Sequence, residues 1–175
     1  MRTLVVYESM FGNSAKVAEL IAAGLAGQGE VTLTDVREMP APVGFDLLVL
    51  GGPTHAFGMS RPATRADAAR QGTVRPGAQT SGIREFLDGA PQLAGIAVTA
   101  FDTRMNTAFL PSGSAARKAL RRLRGLGGRQ IAEAESFRVT SAQGPLAPGE
   151  AERARRWGAT LAGFLVPARA PGRAC

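Results

Sequence analysis

Residues Ser9-Met10-Phe11-Gly12-Asn13-Ser14 have the types and spacing that hold a phosphate. They follow a short apolar run and lead directly into a helical pattern, which places them at a helix N-terminus. There the first backbone N–H groups have no partner within the helix, and the positive end of its dipole lies behind them. Ser9 and Ser14 add hydroxyls, and Gly12 lets the backbone approach a ligand closely. The same residues also suit plain helix capping by Asn13 or Ser14. Two familiar phosphate loops are absent: no Lys completes G-x-x-x-x-G-K-[ST], and no G-x-G-x-x-G follows a strand. The one histidine, His55, is a candidate proton source. One His and one Cys, far apart in the chain, build no metal site. Without a G-x-S-x-G elbow, a Ser-His-Asp triad has no support.

The elements that must position these residues alternate. Residues 4–7, 31–34, 47–50 and 96–99 are short runs rich in Val, Leu or Ile, and 137–140 is a weaker fifth. Continuous apolar runs suit strands covered on both faces. Helical spacing falls between them, over 15–26, 114–126 and about 149–164, with a short helix opening at 83–87. Such alternation predicts an α/β protein with a parallel sheet. Residues 59–81, rich in Arg and Ala and broken by Pro62, Gly72, Pro76 and Gly77, read as a long loop. Residues 167–175 carry no core pattern and read as a disordered tail. One domain over 1–166 is expected.

The first loop is similar to the flavodoxin phosphate loop, [ST]-x-[ST]-G-N-[ST], through Ser9, Gly12, Asn13 and Ser14. Phe11 departs from it, with an aromatic ring where the pattern has a hydroxyl. Two more segments strengthen the resemblance. Gly51-Gly52-Pro53-Thr54-His55-Ala56-Phe57-Gly58-Met59 resembles the P-T-x-x-G loop of flavodoxin-like quinone reductases, with one extra residue. Ala100-Phe101-Asp102-Thr103-Arg104 follows the fourth strand run. The resemblance implies the flavodoxin-like, doubly wound five-stranded parallel sheet, order 2-1-3-4-5, in three α/β/α layers. It also implies an FMN-binding type of protein, with the loops after strands 1, 3 and 4 meeting around the cofactor. The residues so implied are Ser9, Met10, Phe11, Gly12, Asn13, Ser14, Pro53, Thr54, His55, Ala56, Phe57, Gly58, Phe101, Asp102, Thr103 and Arg104. Phe57 and Phe101 are the candidates for stacking on the flavin. Arg104 is a candidate for raising its potential, with Asp102 to neutralise that cation or bond a ring N–H.

With 175 residues and 45% hydrophobic and 20% charged content, the chain has an ordinary globular composition. A lone cysteine excludes an internal disulfide scaffold. No apolar run is long enough to span a bilayer, and the opening residues lack a secretory pattern, so a cytoplasmic protein is expected. All but Lys16 and Lys118 of the 21 basic residues are arginine, and the formal charge is +7. Arg117, Lys118, Arg121, Arg122 and Arg124 lie opposite an Ala/Leu stripe, as a solvated helix face would. No aromatic residues are interleaved with them, which argues against nucleic acid. Three functions stay open: an NAD(P)H-dependent reductase of a quinone or similar flat acceptor, an FMN electron carrier docking an acidic protein partner, and a flavin-free partner-binding module.

Overall fold

The computed structural model describes residues 1–56, 58–105 and 113–164. Phe57, the candidate stacking residue, and the expected tail at 167–175 lie outside the described residues. The strands are β1 (Arg2–Tyr7), β2 (Glu30–Asp35), β3 (Leu47–Pro53), β4 (Ala97–Met105), β5 (Arg129–Gln130) and β6 (Glu135–Val139). The helices are α1 (Asn13–Leu25), α2 (Pro62–Gln71), α3 (Ile83–Gly89), α4 (Ala115–Gly125) and α5 (Glu150–Gly163). All strand pairs are parallel, in the order β2-β1-β3-β4-β5, and β6 also pairs with β4. β5 meets Ala97 and Val98, while β6 meets Phe101 to Met105. The expected fifth strand is therefore present in two segments along one edge.

Alternate residues of each strand feed two cores, one per face of the sheet. Leu4, Val6, Leu48, Leu50 and Val98 pack with Ile83, Phe86, Leu120 and Leu123 beneath α3 and α4. Val5, Leu47, Val49 and Phe101 pack with Val17, Ile21 and Leu161 beneath α1 and α5. The second layer is tight because a Cβ on Gly158 of α5 would come within 2.3 Å of the Ile21 carbonyl of α1. The basic residues of α4 behave as its periodicity predicts: Arg117, Lys118, Arg121 and Arg124 are exposed, while Ala116, Ala119 and Leu123 are buried.

Two sequence expectations are corrected. The expected loop at 59–81 contains α2, which begins with Pro62 in its first turn. The Arg61 N–H donates to Thr64 Oγ1 at 2.9 Å at this end of the helix. Only Arg65 and Ala68 of α2 are buried, so it has no apolar periodicity to read. Likewise, the segment 100–104, expected to be a loop, is regular strand. Two of its polar residues are held by partners outside the strand: Thr103 bonds to Ser14, and Asp102 bonds through Oδ2 to the start of α4.

Candidate functional site

The chain leaves β1 toward β2 on one side and later returns to β3 on the other, so a crevice opens at the carboxyl ends of β1 and β3. A cavity of about 300 Å³ lies there. Its walls are Ser9, Met10, Phe11, Asn13 and Ser14 after β1, Pro53 to Ala56 at the end of β3, and Thr103 to Met105 at the end of β4. Thr64, Asp67, Ala68 and Gln71 of α2, with Val139 and Ala142, complete it. Register brings the three strand ends level: Tyr7 aligns with Gly51, and Pro53 with Thr103.

At the β1 end, Gly12 adopts φ +100°, a left-handed conformation that turns the chain abruptly into α1. Among the described residues no side chain caps this helix. Asn13 is occupied elsewhere, since its Nδ2 donates to the Ala142 carbonyl at 3.1 Å. The Ser9 hydroxyl accepts from the Gly12 N–H at 3.1 Å, which fixes the loop and leaves its own hydrogen to donate. Ser14 and Thr103 share a 2.7 Å hydroxyl pair across the β1–β4 gap. The start of α1 thus carries backbone N–H groups that no side chain among the described residues caps, with Ser9 and Ser14 beside them, a geometry suited to an anion.

At the β3 end, His55 and Gly58 exchange two 2.9 Å N–H···O bonds that close a tight turn. Burial, and secondarily the Arg65 cation, holds the His55 imidazole below its usual range, so the ring is neutral near pH 7. Its Nε2 is sealed from solvent and has no hydrogen-bond partner among the described residues. His55 lines the cavity as a residue, with that nitrogen sealed from solvent.

Eleven of the sixteen sequence-derived candidates meet at this cavity: Ser9, Met10, Phe11, Asn13, Ser14, Pro53, Thr54, His55, Ala56, Thr103 and Arg104. Gly12 shapes the loop without lining the cavity, and Gly58 closes the adjacent turn. Phe101 is corrected. It is fully buried, packs edge-to-face on Phe137 at 6.3 Å and fills the space above Gly51, so it is a core residue and stacks on nothing in the cavity. Asp102 is corrected too. Its Oδ2 accepts from Thr54 Oγ1, Ser114 Oγ and the Ala116 N–H at 3.0, 2.6 and 3.0 Å, tying β4 to α4. Thr64, Asp67, Ala68 and Gln71 were not legible as site residues, and their i, i+3, i+4, i+7 spacing was the available signal.

Among the described residues no cluster of His, Cys, Asp or Glu could hold a metal ion, and no helix is long and apolar enough to cross a membrane. No family model and no curated protein matches the chain. Solved structures do match. Oxidised flavodoxin 1 and flavodoxin 2 from Bacillus cereus each align with a TM-score of 0.66, at 18% and 23% identity. These alignments cover 93% of this chain and 98% and 99% of theirs. The Flv1 flavodiiron core from Synechocystis aligns at 0.60 and 17% identity, over 94% of this chain and 36% of that one. Strand order, helix placement and these likenesses agree, and the chain is a flavodoxin-like protein by fold.

Proposed function

We propose that the chain binds FMN and uses it to reduce a quinone or similar flat acceptor, with NAD(P)H as the electron donor. One observation carries the FMN reading: α1 opens uncapped, behind a left-handed Gly12, into a cavity at the β1–β3 switch point. A Cβ on Gly12 would meet nothing within 4 Å, so the loop leaves open space on that side of the residue. The cavity volume sits at the lower end of the range for small-molecule sites. FMN, when bound, supplies the hydride and electron chemistry. The chain's residues hold and tune it. Residues 9–14 would hold its phosphate through the first N–H groups of α1, and Ser14, joined to Thr103 by a hydroxyl pair, lines the same cavity. Arg104, on the cavity wall, places a cation where added negative charge on a bound ligand is favoured. His55, neutral and fixed by its turn, shapes the wall near the β3 end.

A reductase is favoured over an acidic low-potential carrier by the +7 charge and by the exposed basic face of α4. Two measurements test the proposal. Flavin fluorescence titration is expected to show quenching at micromolar FMN, and its absence there defeats the FMN reading. Steady-state oxidation of NAD(P)H with a quinone is then expected without any added protein. Turnover that appears only with a partner reductase identifies a carrier instead.

A further inference from the structure

α2 has no apolar face to explain its position. Its buried residues are Arg65 and Ala68 alone, and a helix without an apolar stripe gains little from packing. Polar anchors and small contacts hold it. Arg65 bonds to Glu85, Ser60 and the Gln79 carbonyl. Ala68 joins Met10 in a small cluster that Phe11 borders. At the end of the helix, Gln143 Nε2 donates to the Gln71 carbonyl at 3.1 Å. The adjacent Ala142 carbonyl accepts from Asn13. The segment after β6 thus links the end of α2 to the start of α1 beside the cavity.

What α2 presents there is one helical stripe, Thr64, Asp67, Ala68 and Gln71, with polar side chains at three of its four positions. Asp67 pairs with Arg70, but both are exposed, at 49% and 72%, so the pair is weak and the carboxylate remains open to a ligand. We infer that Asp67 and Gln71 recognise the hydroxyl-bearing chain of the bound ligand, which is the ribityl chain if that ligand is FMN. This inference rests on the FMN reading. An ionised carboxylate only accepts hydrogen bonds, while an amide both accepts and donates, so the stripe matches a row of hydroxyls. A quinone offers only accepting carbonyls and leaves Asp67 unanswered. A phosphate is repelled by Asp67 and is already served by α1. Phe11 fits the same account: its Cε1 lies 3.4 Å from where a Gly72 Cβ would stand, at the end of α2. The loop has an apolar seat for α2 where the flavodoxin pattern has a hydroxyl.

The test compares FMN with an analogue that keeps the flavin ring and terminal phosphate but carries an unhydroxylated five-carbon chain. Both are titrated against the wild-type chain, Asp67→Ala, Gln71→Ala and Arg70→Ala, with thermal melts to show that each variant is folded. Asp67→Ala and Gln71→Ala are each expected to weaken FMN about tenfold, the scale of one lost hydrogen bond involving a charged or well-placed group, and to leave the analogue unchanged. Arg70→Ala is expected to match wild type with both ligands. Equal losses for FMN and the analogue overturn the inference, because α2 then acts through the ring or the fold. Unchanged FMN affinity in both stripe variants overturns it while leaving the FMN reading intact. Failure of the wild-type chain to bind FMN removes the function and the inference together.

Discussion

Arg65 of α2 and Glu85 of α3 form a two-armed ion pair, with Nη2 to Oε1 at 3.0 Å and Nη1 to Oε2 at 3.2 Å. The Arg65 side chain is 1% exposed and that of Glu85 32%. A third contact, Nε to the Gln79 carbonyl at 3.1 Å, fastens the same guanidinium to the segment between the helices. Glu85 also accepts from the Gly82 N–H at 2.9 Å, ahead of α3. The cavity wall that α2 supplies therefore depends on a buried cation for its position.

Arg65→Leu is expected to cost about 3 kcal/mol, the low end for breaking a buried pair, because Glu85 keeps some contact with water. Urea midpoints measure the loss, and limited proteolysis is expected to cut first within α2. Arg65→Lys is expected to recover only part of the stability, since one ammonium cannot reproduce the guanidinium fork. Wild-type stability in Arg65→Leu defeats the assignment.

Glu8 gives a stability change with pH. Its carboxyl is 2% exposed, with one oxygen accepting from the Ile83 N–H at 2.9 Å and Ser60, Arg65 and Glu85 nearby. Burial raises its pKa from 4.5, outweighing the Ser60 and Ile83 hydrogen bonds and the Arg65 cation. Below 4.5 both folded and unfolded chains carry the proton. Above it the unfolded chain releases the proton while the folded chain keeps it, so stability falls until the folded carboxyl also ionises. Glu8→Gln keeps an acceptor for Ile83 and removes the titration. Melting temperatures across about pH 5 to 8 are expected to fall for wild type relative to Glu8→Gln. A constant difference between the two across that range contradicts the raised pKa.

Asp102 joins β3, β4 and α4 through one carboxylate, and Thr54 also accepts from the Ala115 N–H at 3.0 Å. Asp102→Ala leaves three donors without their acceptor and is expected to cost roughly 3 kcal/mol. Asp102→Asn keeps an acceptor oxygen and is expected to cost less. Because Thr54 lines the cavity, FMN affinity is expected to fall with stability in the alanine variant. Thermal melts and flavin titration measure both, and unchanged melting in Asp102→Ala refutes the role.

The legible parts of this protein were those whose stability comes from apolar burial. The runs 4–7, 47–50 and 96–99 announced central strands because both of their faces meet helices. The loop at 9–14 was legible because a helix N-terminus, a glycine and hydroxyls make a local pattern. α2 was not legible because its inward anchor is Arg65, and a buried arginine leaves no apolar period in the sequence. The polar end of β4 carries no strand signal for a similar reason: Asp102 and Thr103 are buried against Ser114 and Ser14, partners outside the segment that its local pattern does not reveal. The core place of Phe101 is not legible because sequence does not say which face of a strand a side chain takes. Here it faces Phe137 and the α1–α5 layer.

Gly12 separates a phosphate site from a mere helix start. Its φ of +100° is strained for any residue with a side chain, yet a Cβ there would touch nothing within 4 Å. Gly12→Ala therefore changes backbone preference without a steric clash, at a cost of about 1 to 2 kcal/mol. Relaxing that strain swings the first N–H groups of α1 away from the cavity. If those groups hold the phosphate, the variant weakens FMN much more than riboflavin, which lacks it, and the ratio of the two Kd values moves toward one. If those groups do not hold the phosphate, stability still falls but the FMN-to-riboflavin ratio stays at its wild-type value. Melting reports the strain in both cases, so the ratio alone decides between the two roles.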